Sequence, residues 1–112
     1  MKDDRNIEYL VGKKAKLDVF LEPFSFKIVS FLDDLSKALD NNSNNKNFPD
    51  LKALSFFCRK NNILSLKDKH QTKNSTRFGL GLLFHVTPSN IPTNFAYSLI
   101  FGLISGNSNV VK

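Results

Sequence analysis

The sequence predicts an α/β protein, with helices through its first half and a strand, helix, strand unit at its end. Three observations support this. Residues 25–40, "SFKIVSFLDDLSKALD", repeat apolar side chains at helical spacing; residues 78–87, "FGLGLLFHVT", are mostly apolar with no helical period; and residues 95–104 form an apolar helical stretch between a proline turn and a second apolar run, "SNVVK". Two strands joined by a crossover helix imply parallel pairing.

Taken in order, residues 1–22 are mixed and weakly patterned. In the stretch 25–40, Ile28, Phe31, Leu32, Leu35 and Leu39 fall on one face and predict an amphipathic helix. It ends in "DNNSNNKN", whose Asn and Asp side chains bond their own backbone and compete with helix, so a surface loop is expected. "FPDLKALSFFCRKNN" restarts the helix, with Pro49 in the first turn, Asp50 where the helix dipole favours an anion, and Arg59 and Lys60 in the last turn, where it favours cations. Leu51, Leu54, Phe57 and Cys58 form its buried face. A basic connector is expected to follow through residue 77. The strand at 78–87 is expected to be buried on both faces and to end before Pro88. Pro92 then suits the first turn of a helix running to about Ile104, Gly106 and Asn107 supply its stop, and residues 108–112 begin the second strand. Strands apolar on both faces need helices on both sides and further strands at their edges. The 112 residues are therefore expected to be the front part of a larger α/β protein.

Composition narrows the function classes. A hydrophobic content of 41% is enough to build one core of this size. The formal charge of +6 raises nucleic acid as a partner. Its distribution weakens that idea: between positions 59 and 77, six basic residues (Arg59, Lys60, Lys67, Lys69, Lys73, Arg77) meet one acid, Asp68, leaving ten bases against nine acids elsewhere. Such a strip is either a solvated connector or a phosphate-binding surface. It lacks the aromatic and basic interleaving of a nucleic-acid platform, so no nucleic acid is expected as partner. The alternative to an enzyme is a small basic nucleic-acid-binding or protein-docking module. One cysteine excludes an internal disulfide and every multi-cysteine zinc pattern, and two distant histidines add nothing towards a metal site. The N-terminus lacks the apolar core of a signal peptide, and residues 95–104 supply about half of what a bilayer crossing needs. No membrane span and a cytoplasmic location are expected.

Few residues invite chemistry. Cys58 is followed by two cations that could activate a thiol, yet its place on an apolar helix face beside Phe57 argues for a core thiol. "GLG" at residues 79–81 lacks the third glycine of a dinucleotide loop, since position 84 is Phe, and it opens the strand instead of following it. His85 lies within the strand and reads as a packed or hydrogen-bonded histidine. Asp33 and Asp34 point about 100° apart on a helix and belong to its wet side. Asn90 differs, because Pro88 and Pro92 fix the backbone around a side chain with two N–H donors, at the carboxyl end of a strand where open α/β sheets place ligands. It either bonds the turn's own backbone or donates to a substrate oxygen. Lys112 emerges at the same edge of the sheet, where a lysine can meet a phosphate or hydroxyl.

Together, "PSNIP" and, one helix later, "GNSNVVK" resemble the signature of the aldehyde dehydrogenase superfamily, a Pro-x-Asn-x-Pro turn followed by Gly-Asn-x-x-Val-x-Lys. Within it, residues 81–112 are most similar to the LuxC-type fatty acyl-CoA reductases, and "FLDDLS" and "FPDLKALSFFCRKNNI" are similar to that family's N-terminal helical region. The resemblance implies a Rossmann-like cofactor domain, of which the βαβ unit would be the first part. The expected division is an N-terminal helical region at 1–66, a basic connector at 67–77 and the start of the cofactor-binding domain at 78–112. It also implies NADPH as cofactor, an acyl-CoA or acyl-protein thioester as substrate, an acyl-protein synthetase as possible partner, and oligomers for a full-length protein. In the implied reaction a cysteine thiolate takes the acyl group and a hydride releases it as an aldehyde. Asn90 matches the family asparagine that stabilises the oxyanion, Lys112 the lysine that meets the adenosine ribose or its 2′-phosphate, and Thr87, Pro88 and Ser89 the backbone passing the cofactor. Ser89 stands where ordinary aldehyde dehydrogenases commonly carry Trp, which favours the acyl-CoA reductase branch. The family's nucleophilic cysteine lies beyond position 112, so the chain is expected to be an N-terminal fragment without reductase activity of its own.

Overall fold

The computed structural model describes residues 10–12, 21–71 and 73–112, so most of the weakly patterned stretch 1–22 lies outside the described residues. Three helices come first: α1 (Phe26–Asn41), α2 (Pro49–Cys58) and α3 (Lys60–His70). Then follow β1 (Leu82–His85), α4 (Asn94–Ile104) and β2 (Ser108–Val111). The two strands pair in parallel, Leu82 opposite Ser108 and His85 opposite Val111, as the crossover helix requires. The mixture of helices with a small parallel sheet is compatible with the α/β class.

Ser25 caps α1, its Oγ accepting from the Ile28 N–H at 3.5 Å. The buried face centres on Val29, Leu32 and Ser36, flanked by half-buried Ile28, Leu35 and Leu39, while Phe31, expected on that face, is exposed. The displacement has a cause in α2. Ser36 Oγ donates to the Ser55 carbonyl at 2.7 Å, and Ser55 Oγ donates to Asp40 Oδ1 at 2.6 Å. Two small hydroxyl side chains thus sit at the helix crossing and satisfy each other's polar groups there.

The loop at 42–48 contains a single 3₁₀ turn, Ser43–Asn47, which Asn42 opens by accepting from the Asn44 N–H. Pro49 begins α2 and Asp50 lies in its first turn, as the sequence predicts. Arg59 then breaks the helix, with ψ at 138°, and α3 starts one residue later. Its first N–H groups have no capping side chain of their own. Instead Asp33 Oδ1, from α1, accepts from the Lys60 N–H at 3.0 Å. Hydrogen bonds from Lys37 and then from that N–H hold the Asp33 carboxyl below its usual range. Lys67 and Lys69 lie in the last turn of α3, where their charges offset the helix dipole.

The core joins Val29 and Leu32 of α1, Leu54 and Cys58 of α2, Ile63 of α3, and Ile100 and Ile104 of α4. Phe57 meets Tyr97 and Phe101 edge-on, with centroids 5.5 and 5.8 Å away, tying α2 to α4. Backbone contacts join the same parts. The Leu21 N–H donates to the Gly106 carbonyl at 3.2 Å, the Gly79 N–H to the Leu21 carbonyl at 3.4 Å, and the Phe24 N–H to the Ile104 carbonyl at 2.7 Å. A Cβ on Gly79 would collide with the Gly106 carbonyl, and one on Gly106, at φ 85°, with the Leu21 carbonyl. The first glycine of "GLG" is thus a close-packing residue.

The burial expected on both faces of the first strand is not met. Helix α4 packs on the face carrying His85 and Asn109, whereas Phe84 is 62% and Leu82 42% exposed, with Val110 beside them on β2. Apolar side chains on both faces express a preference for burial, but the cover must come from other elements. Among the described residues only one face receives it.

Candidate functional site

The carboxyl end of the sheet gathers the residues that the sequence singles out. Beyond β1 the ladder continues in the backbone, the Lys112 N–H donating to the His85 carbonyl at 2.9 Å and the Thr87 N–H to the Lys112 carbonyl at 3.4 Å. Thr87 Oγ1 donates to that same carbonyl at 3.2 Å. Lys112 and Thr87 are therefore direct neighbours, and the Lys112 side chain is exposed. Residues 88–92 turn away from the strand and deliver the chain to Thr93, the N-cap of α4.

Pro88, Ser89 and Asn90 are all exposed on this turn. Of the two roles open to Asn90, bonding the turn's own backbone has no support: among the described residues no protein group hydrogen-bonds its amide. An exposed amide with two donors on a proline-bracketed turn is available to a ligand oxygen. No hydrogen bond joins Asn90 to Lys112.

Cys58 is not part of this edge. It is fully buried in the helical core, and burial pushes its thiol up to about 11. The thiolate, which is the nucleophilic form, is thereby suppressed. Among the described residues no group of three or more His, Cys, Asp or Glu side chains could hold a metal ion. No helix among them is long and apolar enough to cross a membrane. A hollow of about 50 Å³ lined by Leu39, Asn45 and Lys52 shares no residue with the sheet edge.

Behind the edge lies a polar cluster that the sequence did not reveal. His85 Nδ1 is 2.8 Å from Ser98 Oγ on α4, and His85 Nε2 is 2.8 Å from Asn109 Oδ1 on β2. Asn109 Nδ2 donates to the Asn107 carbonyl at 2.8 Å, while Asn107 Oδ1 accepts from the N–H groups of Leu80 and Gly81 at 2.6 and 3.1 Å. Asn107 thus holds the entrance of β1 and Asn109 its exit. The signal available in the sequence was spacing: Ser98 and Gly102, four apart in a mostly apolar helix, share a face.

The motif that ends in Lys112 is therefore built with both of its asparagines in structural roles. The model of the acyl-CoA reductase (LuxC) family matches residues 24–112. The chain belongs to that family. The match begins just before α1 and takes in every element of the LuxC chain described above, the helices as well as the βαβ unit. Membership relates the chain to acyl-CoA reduction, an oxidoreductase chemistry. No curated protein and no solved structure gives a match to it.

Proposed function

We propose that this LuxC-family chain forms the cofactor-side edge of an NADPH-dependent acyl-CoA reductase, the start of a Rossmann-like, aldehyde-dehydrogenase-type domain. The observation that carries the reading is the unpartnered, exposed amide of Asn90 on a rigid turn at the carboxyl end of a parallel strand, with Lys112 joined by two hydrogen bonds to Thr87 at the base of that turn. This is where α/β sheets bind nucleotides.

The residues present suit that cofactor. Lys112 supplies an exposed cation for a ribose phosphate, and Thr87, Pro88 and Ser89 offer backbone along which it can lie. NADPH, when bound, supplies a hydride. The Asn90 amide donates to the thioester oxygen as negative charge builds on it, and the flanking prolines hold that donor in place beforehand. The acyl group needs a thiolate to receive it. Cys58 is fully buried and holds its proton, so the thiol must come from outside these 112 residues, and the chain by itself reduces no thioester.

Two measurements test this. NADPH titrated into the ¹⁵N-labelled chain should shift the amides of Thr87, Ser89, Asn90 and Lys112, with Lys112→Ala weakening the effect. Shifts confined to residues 59–77 would support a basic phosphate strip and overturn the reading. In a relative that carries the thiol, substitution of the matching asparagine by Ala should lower turnover by roughly 10²–10³-fold, the usual loss for one oxyanion donor. Undiminished turnover would remove the oxyanion role.

A further inference from the structure

We propose that His85 is a positioning residue, held between Ser98 and Asn109 with the proton of its neutral form on Nε2, and that this cluster fixes the turn presenting Asn90. The significance of the turn rests on the function proposed above; the tautomer and the lock do not.

The tautomer follows from donor and acceptor chemistry. Asn109 has one oxygen and one NH₂ group, and the NH₂ faces the Asn107 carbonyl at 2.8 Å. Flipping the amide would set two oxygens against each other. Its Oδ1 therefore faces His85 Nε2, which must carry the proton to make that 2.8 Å contact a hydrogen bond. Nδ1 of the neutral ring is then an acceptor, and the Ser98 hydroxyl donates to it at 2.8 Å.

The lock depends on which elements those partners belong to. His85 ends β1, three residues before Pro88, and Ser98 lies in the second turn of α4, just after the turn delivers the chain to Thr93. One imidazole thus pins both the entry and the exit of residues 88–92, while Asn109 ties the ring to the strand that leads to Lys112. Helix α4 gives way for this. A Cβ on Gly102, one turn after Ser98, would collide with Asn109 Oδ1 and sit 3.1 Å from His85 Nε2. A glycine inside a helix is less favourable than alanine. Here it makes the room that the cluster occupies.

The test is heteronuclear NMR of the ¹⁵N-labelled chain at alkaline pH, where a neutral ring can be typed by its nitrogen shifts. The expected result is a single Nε2–H tautomer at His85; an Nδ1–H ring, or the averaged mixture of a free imidazole, would overturn the assignment. Ser98→Ala should shift the amides of residues 89–91 while the α1 and α2 amides stay in place. His85→Gln, which keeps one donor and one acceptor, should restore the pattern that His85→Phe loses. If His85→Phe does not fold, Ser98→Ala decides the matter, and unmoved turn amides there would sink the positioning role. NADPH separates the two readings. A wild-type chain indifferent to NADPH, with a turn that moves in Ser98→Ala, defeats the proposed function and leaves the lock standing; binding that is unaffected in Ser98→Ala, with an unmoved turn, does the reverse.

Discussion

Iodoacetamide should modify Cys58 of the native chain at least a hundredfold more slowly than the same residue in urea, at about pH 8. The factor comes from ionisation alone. Burial raises the thiol from 9.0 to about 11, and two units reduce the thiolate fraction about a hundredfold. Zero solvent exposure slows the reagent further. The same shift enters stability. Below pH 9 the thiol is protonated in both native and unfolded chains and contributes no pH dependence. Between pH 9 and about 11 only the unfolded thiol ionises, so stability falls as pH rises, by at most about 2.7 kcal/mol. Urea melts of the native sequence and Cys58→Ala, compared from neutral to alkaline pH, read this difference together with the response of Tyr97, whose hydroxyl is held above its ordinary value first by burial and then by the Cys58 charge. Native alkylation within tenfold of the unfolded rate, or parallel pH curves for the two chains, would refute the buried placement. It would also return Cys58 to consideration as a nucleophile.

Gly106→Ala should destabilise the chain by about 2–4 kcal/mol in urea melts, combining the left-handed backbone penalty with loss of the Leu21 and Gly79 hydrogen bonds. A loss below about 0.5 kcal/mol would mean that this crossing is loose. Asp33→Asn should retain the acceptor for the Lys60 N–H but lose the Lys37 ion pair at 2.9 Å. Because the Asp33 carboxyl is held below 3.8, its contribution is present above that pH and disappears as pH falls through the lower native value. The variant should therefore show a shallower loss of stability on acidification, measured by far-UV circular dichroism.

Much of this arrangement was legible in the residues. The βαβ unit followed from two apolar runs, a proline turn and a Gly-Asn stop, and its parallel register follows from that connection. Helix α3 was hidden for a physical reason. Its apolar residues are few among Lys, Asn and Ser, and what fixes it comes from elsewhere: Ile63 buried against other helices and Asp33 capping it from α1. Ser36 was hidden likewise, since a serine in the middle of a buried face makes sense only once Ser55 stands opposite. At the site, Asn90 and Lys112 were marked by motif spacing. Ser98 and Asn109 were not, because each is an ordinary polar residue until His85 joins them across 13 and 24 positions.

The crossing of Leu21 with Gly79 and Gly106 also bears on the order in which a ribosome could see this chain assemble. Helices α1 and α2 are close in sequence and can pair as soon as both have emerged. The carbonyl that receives the Leu21 N–H belongs to residue 106, so that bond closes a loop through nearly the whole length already made. Loop closure grows only as the logarithm of length, about 0.6 kcal/mol per doubling, so the delay is one of timing more than of free energy. The helical half would wait, paired but undocked, until the glycine behind α4 arrives to receive it.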